Sequence, residues 1–133
     1  MKLTARSEYA LLALLYLARN TSGQAISGET IALEQGIPPK FLQQILHALK
    51  RARYVHSAKG QHGGYRLARK PEEITLAEVV RLLDGALAHV ESVSKYFYES
   101  TPIEKEEGLL NVFRDIRDFV ADKLEKTTLA DVL

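Results

Sequence analysis

The stretch Ile37-Pro38-Pro39-Lys40-Phe41-Leu42-Gln43-Gln44-Ile45-Leu46-His47-Ala48-Leu49-Lys50-Arg51-Ala52-Arg53 decides the fold. Proline suits the first position of a helix, where its missing N–H would have no partner, so the segment predicts a helix from the Pro-Pro turn to about Arg53. Its two sides are sorted. Leu42, Ile45, Leu46 and Leu49 form an apolar stripe, while Lys40, Gln43, Gln44, His47, Lys50 and Arg51 share the opposite side with no carboxylate among them.

Upstream, Leu3 to Asn20 repeats apolar residues at helical spacing around most of the circumference, which predicts a helix buried centrally or at a subunit contact. Ser27 can cap a short second helix that runs to about Gln35 and stops at Gly36. Downstream, Tyr54–Ser57 and Tyr65–Ala68 read as two short strands around Ala58-Lys-Gly-Gln-His-Gly-Gly64, a basic hairpin tip with three glycines. Thr75-Leu-Ala-Glu78 matches a capping box and opens a fourth helix that ends near Gly85. Residues 86–106 are weakly patterned, with one short helix expected around Val90–Tyr98. From Glu107 to Glu125 the pattern recovers, and Leu109, Phe113, Ile116, Val120 and Leu124 form a seam expected to make a dimer contact. Thr128-Leu-Ala-Asp131 is a second capping-type tetrad.

Charge is distributed unevenly along the 133 residues. Residues 1–70 hold eleven Lys/Arg against three Asp/Glu, and residues 71–133 hold seven against fourteen, although the whole chain is only +1. Between Glu34 and Glu72 there is no acid at all. Such a surface suits a polyanion, because each phosphate neutralised releases condensed counterions and a nearby carboxylate would oppose that gain.

Composition excludes other chemistries. With no cysteine there is no disulfide framework, thiolate metal site or catalytic thiol. No apolar run approaches the roughly 18–20 residues of a membrane span, and no secretory signal is visible, so a cytoplasmic protein is expected. No Ser/His/Asp set, paired carboxylates or His-x-x-x-His spacing supports an enzyme. Gly63-Gly64 lies outside any phosphate-loop fingerprint and reads as a turn. A metal site from His89 and Glu91 across a dimer is the minor alternative to solvated histidines, and no metal is expected. Tyr96, Phe97 and Tyr98 read as core or dimer contacts, with an effector pocket as the alternative.

The order of elements is that of a winged helix-turn-helix, mainly α with a small β-hairpin: a DNA-binding domain over residues 1–85, then a loop and dimerisation or regulatory helices over 86–133. Lys40, Gln43 and Gln44, with His47 a turn further on, lie where base edges would be read. Lys50, Arg51 and Arg53 lie too far along the helix for bases and suit phosphates. Lys59 beside Gly60 would enter or clamp a minor groove, with His62, Arg66 and Arg69 along the backbone. RNA and membrane surfaces fit less well, since the apolar stripe of the third helix is needed by the core.

These residues also resemble a family. Met1-Lys-Leu-Thr…Tyr9-Ala-Leu, Ile37-Pro-Pro-Lys-Phe-Leu-Gln-Gln-Ile-Leu…Leu49, Val55-His-Ser…Lys59-Gly…Gly63-Gly-Tyr65…Leu67-Ala and Ile74-Thr-Leu-Ala-Glu-Val-Val…Asp84-Gly85 are similar to the Rrf-two (IscR-like) bacterial transcription regulators over about the first 85 residues. The resemblance implies a homodimer on double-stranded DNA at a palindromic promoter site, with the long C-terminal helix crossing to the partner subunit. It assigns DNA reading to Lys40, Phe41 and Gln43 and to Lys59-Gly60 in the wing. Many relatives carry three cysteines that hold an iron–sulfur cluster, and residues 86–108 have none. The expectation is therefore a repressor without a cysteine-ligated cluster, whose signal is a small molecule, a protein partner or nothing intrinsic. The alternative is a protein-interaction module on the same fold.

Overall fold

The computed structural model describes residues 2–20, 22–87 and 91–133. Helix α1 (Ala5–Arg19) starts where the Thr4 side chain accepts the Ser7 amide, two residues later than the apolar pattern suggests. Ala10, Ala13, Leu14 and Leu17 are buried, and Leu11, Leu12, Leu15 and Tyr16 pack around them half-buried, which explains why the helix is apolar on nearly all sides. Helix α2 (Gly28–Gln35) is capped by Ser27, which accepts the Thr30 amide, and ends at Gly36 in the left-handed region (φ 66°). The Gln35 side chain donates to the Leu12 carbonyl at 2.8 Å and ties the end of α2 to α1.

Helix α3 (Pro39–Arg51) follows with proline in its first turn and buries the expected stripe, Leu42, Ile45, Leu46 and Leu49. It stops before Arg53, which takes a left-handed backbone with φ 67°. Strands β1 (Val55–Ala58) and β2 (Gly64–Leu67) pair antiparallel with Val55 opposite Leu67 and Ser57 opposite Tyr65. A third backbone segment joins them. Ile26 and Tyr65 exchange both amide–carbonyl hydrogen bonds, at 2.8 and 2.7 Å, so the hairpin is anchored just ahead of α2. This close approach requires Gly64: its φ is +144°, and a Cβ there would lie 2.3 Å from the Ile26 carbonyl oxygen.

Helix α4 (Leu76–Asp84) opens with both halves of the capping box between Thr75 and Glu78. The helix expected around Val90–Tyr98 is instead a single 3₁₀ turn at Glu91–Val93 followed by bends. Tyr96, Phe97 and Tyr98 are exposed, Tyr96 by 69%, so they are not core residues of this chain. Without a periodic apolar face the segment has nothing to hold a longer helix against the body. His89 lies outside the described residues.

Helix α5 (Glu107–Lys126) lies against α4, where Val120, Ala121 and Leu124 pack on Ala77, Val80 and Leu87. The chain then returns to the N-terminal unit. Leu76 donates to the Thr127 carbonyl at 2.8 Å, Leu129 donates to the Ile74 carbonyl at 2.9 Å, and the Leu129 side chain is fully buried in the same core as α1, α2 and α3. The stretches on either side of residue 85 therefore share a core through Leu129. Thr128 and Asp131 cap one another as their spacing predicts. At the other end of α4, Asp84 accepts the Thr4 amide at 3.2 Å and the Thr4 hydroxyl. Burial alone would raise the Asp84 carboxyl, but these hydrogen bonds outweigh it and hold the group below the usual carboxylate range.

Candidate nucleic-acid interface

Because Leu42, Ile45, Leu46 and Leu49 face the core, helical geometry turns Lys40, Gln43, Gln44, His47, Lys50 and Arg51 outward, and all six are exposed. The glycine-tipped hairpin rises beside them. A groove of about 600 Å³ runs between the start of α3 and the wing, with Lys40 and Gln43 on one wall and Lys59, Gly60 and Gly63 on the other. Tyr65 and the capped start of α2, Ser27 and Gly28, also line it. The helix start and wing tip thus converge on one surface, the arrangement needed for a helix and a ribbon to meet one duplex.

The remaining cations are distributed around this groove. His62 and Arg66 lie on the outer side of the wing with His56. Lys50 and Arg53 flank a notch at the far end of α3 with His56 and Arg69. Arg51 is exposed at the end of α3. The acid-free stretch of sequence becomes a nearly acid-free face, with Glu29 of α2 as an acid among the groove residues.

Two predicted site residues are turned toward the protein. The Phe41 ring meets Tyr9 edge-on with centroids 5.6 Å apart, which fixes the start of α3 to α1 and leaves the ring partly exposed. Arg69 is folded inward: its guanidinium donates to Glu78 at 2.6 Å and to the Glu73 carbonyl at 2.5 Å, and lies 5.3 Å from the Tyr54 ring centroid. A carboxylate within reach on α4 therefore takes the charge assigned from sequence to the DNA backbone. Burial opposes ionisation of Glu78, but hydrogen bonds from the Thr75 amide, Arg69 and Tyr54 outweigh it and hold the carboxyl below its usual range. Burial, then the bond to Glu78, pushes the Tyr54 hydroxyl up to about 12.

The α5 seam is divided between two faces. Val120 and Leu124 pack on α4 of their own chain and Phe113 is half-buried, whereas Leu109 and Ile116 are exposed. The exposed apolar row is Leu109, Val112, Ile116 and Phe119, at spacings of 3, 4 and 3. A single line drawn through the sequence pattern straddles the inward and outward faces of this helix. Ile26, Ser27, Tyr65 and Val112 were not singled out from sequence as site residues; the Ser27-x-x-Thr30 cap was the available signal for α2, and the Ile26 pairing had none.

The chain matches the Rrf2 family, described as iron-dependent transcriptional regulator, over residues 3–133. It is 40% identical over 136 residues to "Putative HTH-type transcriptional regulator Rv1287" of Mycobacterium tuberculosis, covering 99% of this chain and 81% of that protein. The solved structure of CymR, the global cysteine regulator of Bacillus subtilis, matches with a TM-score of 0.80 at 28% identity, covering 99% of this chain and 95% of that one. That of T. potens IscR matches with a TM-score of 0.76 at 27% identity, covering 99% and 85%. The residues do not fit a thiolate-held iron group: the chain has no cysteine, and among the described residues no three His, Cys, Asp or Glu side chains converge as a metal site. Among the described residues no helix is long and apolar enough to cross a membrane. A winged helix-turn-helix with a cationic helix–wing groove, matched along nearly its whole length by regulators of one kind, leads to one conclusion: the chain belongs to the Rrf2 family of transcriptional regulators.

Proposed function

We propose that this chain is a homodimeric, sequence-specific DNA-binding repressor that acts in the cytoplasm at a palindromic promoter site without a cysteine-ligated iron–sulfur cluster. The observation that carries the reading is the single groove shared by Lys40 and Gln43 of α3 and Lys59 and Gly60 of the wing. With α3 in the major groove, Lys40 donates to guanine O6 or N7, and Gln43 and Gln44 pair with adenine N6 and N7, each good pair discriminating by about 1–3 kcal/mol. His47 reaches the next base step. Phe41 supports the helix start through Tyr9. Lys50, Arg51, Arg53 and Arg66 neutralise phosphates, and Lys59 meets the adjacent minor groove with His62 beside it.

The outward row on α5 supports the dimer. Leu109, Val112, Ile116 and Phe119 repeat as the seam positions of a coiled coil, and a two-fold contact would bury them against their own copies. The regulatory signal is a small molecule, a protein partner or nothing intrinsic. Selection of bound fragments from a random duplex pool by the purified protein tests the reading: enrichment of an inverted repeat is expected, and recovery of no sequence above background overturns it in favour of a protein-interaction module.

A further inference from the structure

The feature the DNA reading leaves unused is the side chain that pairs with Arg69. Glu78 sits on the first turn of α4, outside the groove, yet its carboxylate takes both feet of the wing. Tyr54, immediately before β1, donates its hydroxyl at 2.8 Å, and Arg69, two residues beyond β2, donates at 2.6 Å to the same oxygen. The second oxygen accepts the Thr75 amide at 2.8 Å. The two feet are also joined to each other, with the Arg69 guanidinium 5.3 Å from the Tyr54 ring centroid and the Ala68 amide on the Tyr54 carbonyl at 2.9 Å.

The hairpin itself is only four residues per strand, too short to hold an orientation through its own ladder. It is pinned near its tip, where Ile26 pairs with Tyr65 one residue after Gly64, and the Glu78 carboxylate holds its feet, the second point that a fixed direction requires. We infer that Glu78 is a positioning residue for DNA binding: it touches no nucleic acid and sets the angle at which the wing carries Lys59 toward the duplex. The turn that bears Glu78 is the one to which the end of α5 is bonded, through Leu76 to the Thr127 carbonyl. Wing direction is therefore fixed by the part of the chain that also seats the dimer helix.

This inference rests on the wing meeting DNA, and the test separates the two. Glu78→Gln keeps a residue compatible with the capping box, and Tyr54→Phe removes one hydroxyl, so both variants should fold. In the free protein, amide exchange of β1 and β2 should quicken in both variants while the amides of α1 and α3 stay protected; unchanged wing exchange overturns the assignment. In duplex titrations Glu78→Gln should lower affinity about tenfold, as expected for loss of a charged hydrogen-bond acceptor. It should reduce the salt slope as Lys59→Ala does and add nothing to Lys59→Ala in the double variant. Losses that multiply would place the action of Glu78 elsewhere and overturn the inference. If the wild-type chain shows no salt-dependent duplex binding, the functional reading fails, and the exchange result alone decides whether Glu78 holds the wing.

Discussion

The Tyr54 amide donates to the Leu49 carbonyl at 2.9 Å across the end of α3, with Arg53 between them at φ 67°. The Arg53 amide meets the Lys50 carbonyl at 3.0 Å, completing a Schellman turn in which an arginine holds the position glycine normally takes. A side chain in this conformation is strained by roughly 1 kcal/mol, and the one found here is a cation at the edge of the basic face.

Arg53→Gly is expected to raise stability by up to about 1 kcal/mol while weakening duplex binding. Thermal unfolding and fluorescence anisotropy on the same preparation check the pair. A gain in stability with full retention of affinity would remove Arg53 from the interface.

Substituting Lys50 or Arg51 by Ala should weaken binding to all duplexes alike and reduce the slope of log affinity against log salt by about one per lost contact. Gln43→Ala should instead relax preference at particular base pairs, at a cost of about 1–3 kcal/mol on the preferred site. Titrations of a site and a scrambled duplex over a range of salt distinguish the two patterns.

Ile116→Asp or Phe119→Asp should yield a folded monomer, because both side chains face outward and Phe119 is 74% exposed. Val120→Asp should destabilise the fold itself, since that residue packs against α4. Sedimentation and circular dichroism read the two effects separately, and Ile116→Asp and Phe119→Asp chains that remain dimeric would move the contact off α5.

Leu129→Ala should cost about 2–5 kcal/mol, the range for a fully buried leucine, although the residue lies in the last turn of the chain. Urea unfolding measures it. A cost below about 1 kcal/mol would show that the returning segment does not share the α1–α3 core.

The Glu78 and Asp84 carboxyls both lie below their usual values in the folded chain. Each is deprotonated more readily when folded than when unfolded, so each contributes stability that is complete above its ordinary unfolded value of about 4 and is lost as pH falls through the lower folded value. Stability should therefore decline below about pH 4.5, and Glu78→Gln should flatten part of that decline. Unfolding curves from pH 3 to 7 check it.

Much of the fold was legible because it rests on local rules. The Pro-Pro entry of α3, its apolar stripe, the Ser27 and Thr75 caps and the hairpin glycines all follow from backbone geometry within one turn of chain, and all are found. The polar side of α3 was legible for the same reason: burial of one stripe leaves the other side no place but the surface. The short helix expected near residue 95 failed because its aromatic residues follow no single period.

The sequence by itself determined a basic amphipathic helix, a glycine-tipped ribbon and the absence of thiolate chemistry, since composition and periodicity act over a few residues. Tertiary structure alone decided that Lys40 and Lys59 share a groove, that Arg69 turns inward to Glu78, that Leu129 returns to the first core, and that α5 buries Val120 while exposing Phe119. Each of these depends on a partner distant in the chain, and charge or apolarity at one position carries no record of which distant group will lie close enough to satisfy it.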